Sequence, residues 1–326
     1  MERRAVALGG FGGFNLHGAG VLTALERLEV MPDLFTVTSG QIVVLASWLR
    51  GEDVHSLLLN HTGASGGLLQ AWRTAMFGHS GVFRPALQDH ARRWLDVPLS
   101  PQAVLERLMP ARQYAPVRDA ETVADVARTL NEAAVGVVFN TYDFRTGEGV
   151  LHGNPAARRL MAGEVGLEDI TAEAVESALW LYLYGFEEAP GGLIDGAYHR
   201  SVILAELHGF DEVTVAAPFP VSWLGPVPRN QLEVENWKIR QWFANSYKAE
   251  VARLRRVIEL MERGTLNDPA YRIRSLTELP LRRHYGYFDY FTEKEEVFDD
   301  ALLQALDRFG EPAAVPVRVG ARVGAR

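Results

Sequence analysis

A chain of 326 residues, 48% hydrophobic and 23% charged, can bury the core of one large α/β domain with decorations or of two smaller domains. Acidic residues outnumber basic ones by 41 to 33, a net charge of -8, and there is no dense basic stripe, which argues against nucleic acid as a partner. Cysteine is absent, so disulfides, thiolate metal sites and cysteine nucleophiles are excluded together.

At the N-terminus only Ala5 to Leu8 form an apolar run before glycines interrupt it, too short for the core of a signal peptide. No run approaches the roughly 18 apolar residues of a membrane-spanning helix. The expectation is a cytoplasmic protein, with any membrane contact confined to its periphery.

Ala5 to Leu8 reads as a strand that runs into Gly9-Gly10-Phe11-Gly12-Gly13. Leu16, Gly20, Val21, Ala24, Leu25 and Leu28 then recur at helical spacing. Glycines between a strand and a helix let backbone amides approach a ligand oxygen. A dinucleotide fingerprint fails because Asn15 stands where the third glycine belongs, and a P-loop fails for lack of a Gly-Lys-Ser/Thr ending. An oxyanion-binding loop and a plain tight turn remain.

The next stretch, LFTVTSGQIVVLASWLRG, organises the rest. Leu34 to Val37 is a buried strand, Thr38-Ser39-Gly40 a tight turn, and Ile42 to Leu49 a buried helix. Such a turn lifts a serine hydroxyl clear of the sheet, and the following helix aims its free N–H groups and positive dipole end at charge forming beside it. Ser39 is therefore the candidate nucleophile. The competing reading is an ordinary helix N-cap.

Residues 52–119 turn helical and irregular, with Trp72, Met76, Phe77, Phe83 and Trp94 among Gly, His and Pro. This predicts an insertion over the core, either ordinary packing or a lid or acyl groove. His55, His61, His79 and His90 show no HExxH or paired spacing, so no metal site is predicted. Thr122 to Ala134 is an amphipathic helix and Val135 to Phe139 a strand. NTYDFRTGEGVLH follows as a hairpin around Thr146-Gly147. An apolar helix is predicted over Ala172 to Tyr184, a lone carboxylate, Asp195, in the glycine-rich turn 191–197, a helix over Val202 to Leu207, and a strand over Glu212 to Ala216. Strands alternating with helices predict a mostly parallel sheet covered on both faces.

Beyond Pro218, Leu232 to Met261 predicts one long amphipathic helix or two joined ones, and Tyr285 to Phe291 is unusually aromatic. Both suit packing on the sheet, or a membrane-surface or partner-binding face. The division expected is a hydrolase-like unit over 1–220, a helical extension packed on it over 221–312, and a frayed tail over 313–326.

Four stretches in this order resemble the patatin-like phospholipases. They are Gly9 to Asn15 leading to Gly20-Val21-Leu22, Val37-Thr38-Ser39-Gly40-Gln41 against G-x-S-x-G, Asp143-Phe144-Arg145-Thr146-Gly147-Glu148 against D-x-x-T-G-E, and Asp195-Gly196-Ala197. The resemblance spans roughly residues 5–220, and less specifically the later helical region. It implies a three-layer α/β/α sandwich and a lipid acyl hydrolase with a Ser-Asp dyad and no cofactor. Ser39 would be the nucleophile and Asp195 the general base, with an oxyanion held by amides of Gly10, Phe11, Gly12, Gly13 and Gly40.

The chain departs from that pattern in four places. Val37 and Gln41 stand where small residues ease a strained turn, and Phe14 and Asn15 stand where the family carries Arg-Gly. These departures motivate an alternative, a catalytically impaired protein that binds lipid or acyl chains without turnover. A third reading, a Ser-His-Asp hydrolase, would bring His199 to Ser39.

Overall fold

Runs of consecutive apolar residues, rather than alternating ones, build the centre of the molecule, because strands covered on both faces need apolar side chains on both. The computed structural model describes residues 2–62, 83–86, 100–108, 111–161, 165–286, 289 and 293–310. Its strands are β1 (Arg4–Leu8), β2 (Leu34–Val37), β3 (Phe83–Pro85), β4 (Tyr114–Pro116), β5 (Gly136–Asp143), β6 (Glu148–Gly153), β7 (Ile194–Asp195), β8 (Glu212–Ala217) and β9 (Ser275–Pro280). Its helices are α1 (Asn15–Arg27), α2 (Gln41–Leu49), α3 (Val54–Thr62), α4 (Pro101–Leu108), α5 (Ala120–Glu132), α6 (Pro155–Leu160), α7 (Ala172–Ala178), α8 (Gln231–Glu262) and α9 (Glu295–Gly310).

The central sheet runs β6-β5-β2-β1-β8-β9, with β7 also paired to β5. The pairs β1–β2, β1–β8, β2–β5 and β8–β9 are parallel, whereas β6 and β7 run antiparallel to β5. The fold is thus mixed α/β around a mostly parallel sheet. Every residue of β2, and all of β1 and β8 but their first, is buried, so helices and loops cover both faces. β3 and β4 form a separate antiparallel pair.

Local chemistry sets the helix starts. Asp119 accepts from Thr122 N at 2.7 Å to open α5, whose Val123, Val126, Ala127 and Leu130 face inward at helical spacing. Asn230 accepts from Glu233 N at 3.0 Å, and Glu233 in return takes Arg229 N at 2.6 Å. The helix they open, α8, is one unbroken element of 32 residues, about 48 Å long.

Three expectations are corrected. The apolar run 172–184 is helical only to Ala178. Beyond it the Trp180 carbonyl accepts from Asp195 N at 3.1 Å and the Trp180 indole donates to Gly185 O at 2.7 Å, so Leu179, Trp180 and Tyr184 are buried by turning back on β7 rather than by winding on. Val202 to Leu204 are buried but not helical, and a 3-10 turn occupies Ala205–Gly209. Glu250 on α8 takes Leu204 N and Ala205 N, and Thr36 donates to the Ile203 carbonyl, so other elements claim the backbone groups a helix would pair internally. Finally, the region after 220 is not helical throughout, since β9 extends the central sheet beside β8.

β5 also runs on through Asn140 to Asp143 into the hairpin with β6. Of the aromatic stretch 285–291 only residues 285, 286 and 289 are described. Trp72, Met76, Phe77, Trp94, His79, His90 and the tail 313–326 lie outside the described residues. Among the described residues no helix is long and apolar enough to cross a membrane.

Candidate active site

The sheet order carries two loops to one place. β1 and β2 are parallel neighbours with Leu8 opposite Val37, so the glycine loop after β1 and the Thr38-Ser39-Gly40 turn after β2 emerge side by side at the carboxyl edge. β5 then brings in the third component. Its one edge is taken by β6 along residues 138–143, so β2, paired at 136–139, and β7, paired at 141–142, share the other. β7 therefore continues the line of β2 where β2 stops. Asp195 sits opposite Thr141, just past the Val37–Phe139 pair, and meets the serine turn there. Ser39 Oγ donates to Asp195 Oδ2 at 2.5 Å, joining residues 156 apart in the chain.

Ser39 has φ +58°, a left-handed conformation costing a non-glycine residue about 1–2 kcal/mol. Tight packing holds it there. A Cβ on Gly10 would lie 2.6 Å from Ser39 Cβ and 2.5 Å from the Thr38 carbonyl, so only glycine lets the loop approach this turn. Gln41 is buried, and its Nε2 donates to the Asn15 carbonyl at 3.3 Å. The room for its amide comes from Gly18 on α1, where a Cβ would fall 2.0 Å from Gln41 Oε1. The larger residue at 41 is thus accommodated by a glycine on the facing helix.

Asp195 is 1% exposed, and burial pushes its carboxyl up to about 6, opposed by the hydrogen bonds from Ser39 and Ala197 N and by the charge of Arg118. One expected oxyanion donor is ruled out, because Gly10 N already donates to the Ser201 carbonyl at 3.1 Å. The N–H groups of Gly12, Gly13 and Gly40 have no protein acceptor among the described residues, and all three residues line the same cavity as Ser39 and Phe11. His199 is not brought to the serine. It stacks on Tyr142 at 5.4 Å and lines a separate cavity of about 350 Å³ with Arg200 and Glu206.

The cavity over Ser39 and Asp195 measures about 990 Å³ and is predominantly apolar. Val54, Leu57, Leu58 and Phe83 supply part of the wall from the stretch expected to form a groove. Much of the remainder, Tyr182, Phe186, Ile239 and Trp242 among it, comes from the turn after α7 and from α8.

No family model matches the chain, and no curated protein matches it. Among solved structures, VipD from Legionella pneumophila is similar at a TM-score of 0.36 and 12% identity, over 94% of this chain and 67% of that one. So loose a likeness carries no chemistry across.

Glu293 is a site residue that sequence reasoning missed. It lies beyond the long helix, yet its carboxylate reaches back to the glycine loop, accepting from Asn15 N at 3.0 Å and Leu16 N at 2.9 Å. It caps the first turn of α1 from inside the cavity wall, and burial pushes it up to about 8. A cap contributed from so far along the chain leaves no local signature.

Proposed function

We propose that this chain is a serine hydrolase cleaving carboxylic esters of lipids, built on a patatin-like α/β/α arrangement. The observation that carries the proposal is the Ser39–Asp195 contact of 2.5 Å, made by a serine held at positive φ at the floor of a large apolar cavity. Ser39 Oγ attacks the ester carbonyl as its proton passes to Asp195 Oδ2, and the amides of Gly12, Gly13 and Gly40 receive the oxyanion. The intermediate collapses as Asp195 gives that proton to the departing alkoxide. Water then attacks the acyl-serine, loses a proton to Asp195, and the released Ser39 oxygen recovers it as the carboxylic acid leaves and gives its own proton to solvent. A carboxyl near 6 is mostly ionised at neutral pH yet basic enough to take the proton.

The cavity rim suits an ester presented at a lipid surface. Trp242 is 59% exposed, and Tyr182, Phe186 and Val117 also both line the cavity and face solvent. Labelling with a fluorophosphonate probe tests the proposal. Wild type is expected to label covalently and Ser39→Ala not to. If folded wild type fails to label with and without lipid vesicles while retaining fatty acid, the chain binds acyl groups without turnover.

A further inference from the structure

Arg118 stands on the cavity wall one residue before Asp119, the cap of α5. It is half-buried, and a single hydrogen bond, from Nη1 to the Leu179 carbonyl at 3.3 Å, uses only part of a guanidinium with five N–H donors. No carboxylate among the described residues lies within ion-pair distance of it. The other charged side chains of this wall are all engaged: Lys238 pairs with Glu235 at 3.0 Å, Asp119 takes Thr122 N, and Glu293 takes Asn15 N and Leu16 N. The remaining donors of Arg118 have no protein acceptor among the described residues, and burial lowers its affinity for the proton. Its site is also close enough to Asp195 for the two charges to interact.

We propose that Arg118 is a specificity determinant that binds an anionic group, a phosphate or a carboxylate, carried by the ester substrate away from the bond that is cut. This deepens the serine-hydrolase reading and rests on it. A planar guanidinium offers a phosphate or carboxylate two parallel N–H donors, and in a cavity with apolar walls that contact is stronger than at the surface. The anion supplies the ion-pair partner that no carboxylate among the described residues gives Arg118. The acyl chain lies against the apolar walls, and the carbonyl is left at Ser39.

The test compares three esters of one acyl length, octanoyl glycerol, octanoyl glycerol phosphate and octanoyl glycerate, on wild type, Arg118→Gln and Arg118→Lys. The quantity read is kcat/KM for each anionic ester divided by that for the neutral one. This ratio is expected to exceed one in wild type, to fall about tenfold or more in Arg118→Gln, and to recover in part in Arg118→Lys. Whichever anionic ester shows the fall identifies the group. An unchanged ratio for both overturns the proposal. So does an equal loss on all three esters with a shifted acid limb of the pH profile, since Arg118 would then act only by tuning Asp195.

Binding of octyl phosphate and of octanoate to Ser39→Ala reads the same contact without turnover. Arg118→Gln in that background is expected to weaken one of the two about tenfold or more, and no weakening of either overturns the proposal. If the binding effect is present while wild type hydrolyses none of the esters, the hydrolase reading fails and the anion site stands.

Discussion

Replacing Asp195 with asparagine removes a buried charge while keeping the shape of the side chain. The asparagine oxygen can still accept from Ala197 N, which lies 2.8 Å from the carboxylate, and its NH2 can donate to Ser39 Oγ. The native carboxyl has its value raised from 3.8 to about 6, so its stabilising contribution is complete below about 3.8 and is lost as pH rises through about 6. At about 1.4 kcal/mol per pH unit, the interval from 3.8 to about 6 corresponds to about 3 kcal/mol, a large share of a typical folding free energy. The asparagine does not titrate. Urea denaturation of both proteins from pH 4 to 8 should therefore show the stability difference, Asp195→Asn minus wild type, rising by about 2.5 kcal/mol, the part of that interval lying above pH 4, mostly below about pH 6, and then levelling. A difference that stays constant across this range would refute the assignment of Asp195 as a buried carboxylate held near neutrality.

The strain at Ser39 can be read from two inactive variants. Ser39→Gly, free to adopt φ +58°, should be more stable than Ser39→Ala by about 1 kcal/mol in urea denaturation. The packing of α1 on the serine turn predicts coupling. Gly18→Ala should cost about 1–3 kcal/mol by driving a methyl into Gln41 and should reduce fluorophosphonate labelling, whereas Gly18→Ala with Gln41→Gly should recover most of both. Additive losses in that cycle would show that the two residues do not share the space.

The strand, turn and helix around Ser39 were legible because each is settled by near neighbours. An apolar β-branched run makes a strand, Thr38-Ser39-Gly40 makes a turn, and an unbroken apolar run makes a buried helix. The same is true of α5 with its Asp119 cap, the hairpin at Gly147 and the long amphipathic α8. Local patterns failed where a distant group took over the backbone. The run after Ala178 looks helical, but β7 and Gly185 claim the hydrogen-bonding groups of Trp180. Gly10 looks like an oxyanion donor, but Ser201 takes its N–H. β9 is a short, half-buried edge strand with a charged residue in it, too weak a pattern to stand out.

By itself the sequence determined which short segments could carry chemistry: a serine on a strand-to-helix turn, a glycine loop and an isolated carboxylate in a glycine-rich turn. Only the tertiary structure decided that they meet, because β7 fills the edge of β5 beyond the end of β2 and so sets Asp195 against Ser39. It likewise decided that Gly18 makes room for Gln41, that Glu293 caps α1, and that Arg118 faces the same cavity unpaired among the described residues. The reason is physical. Propensity and turn chemistry act over a few residues along the chain, whereas the convergence of a site depends on strand order and register, which are set by burying the whole sheet at once.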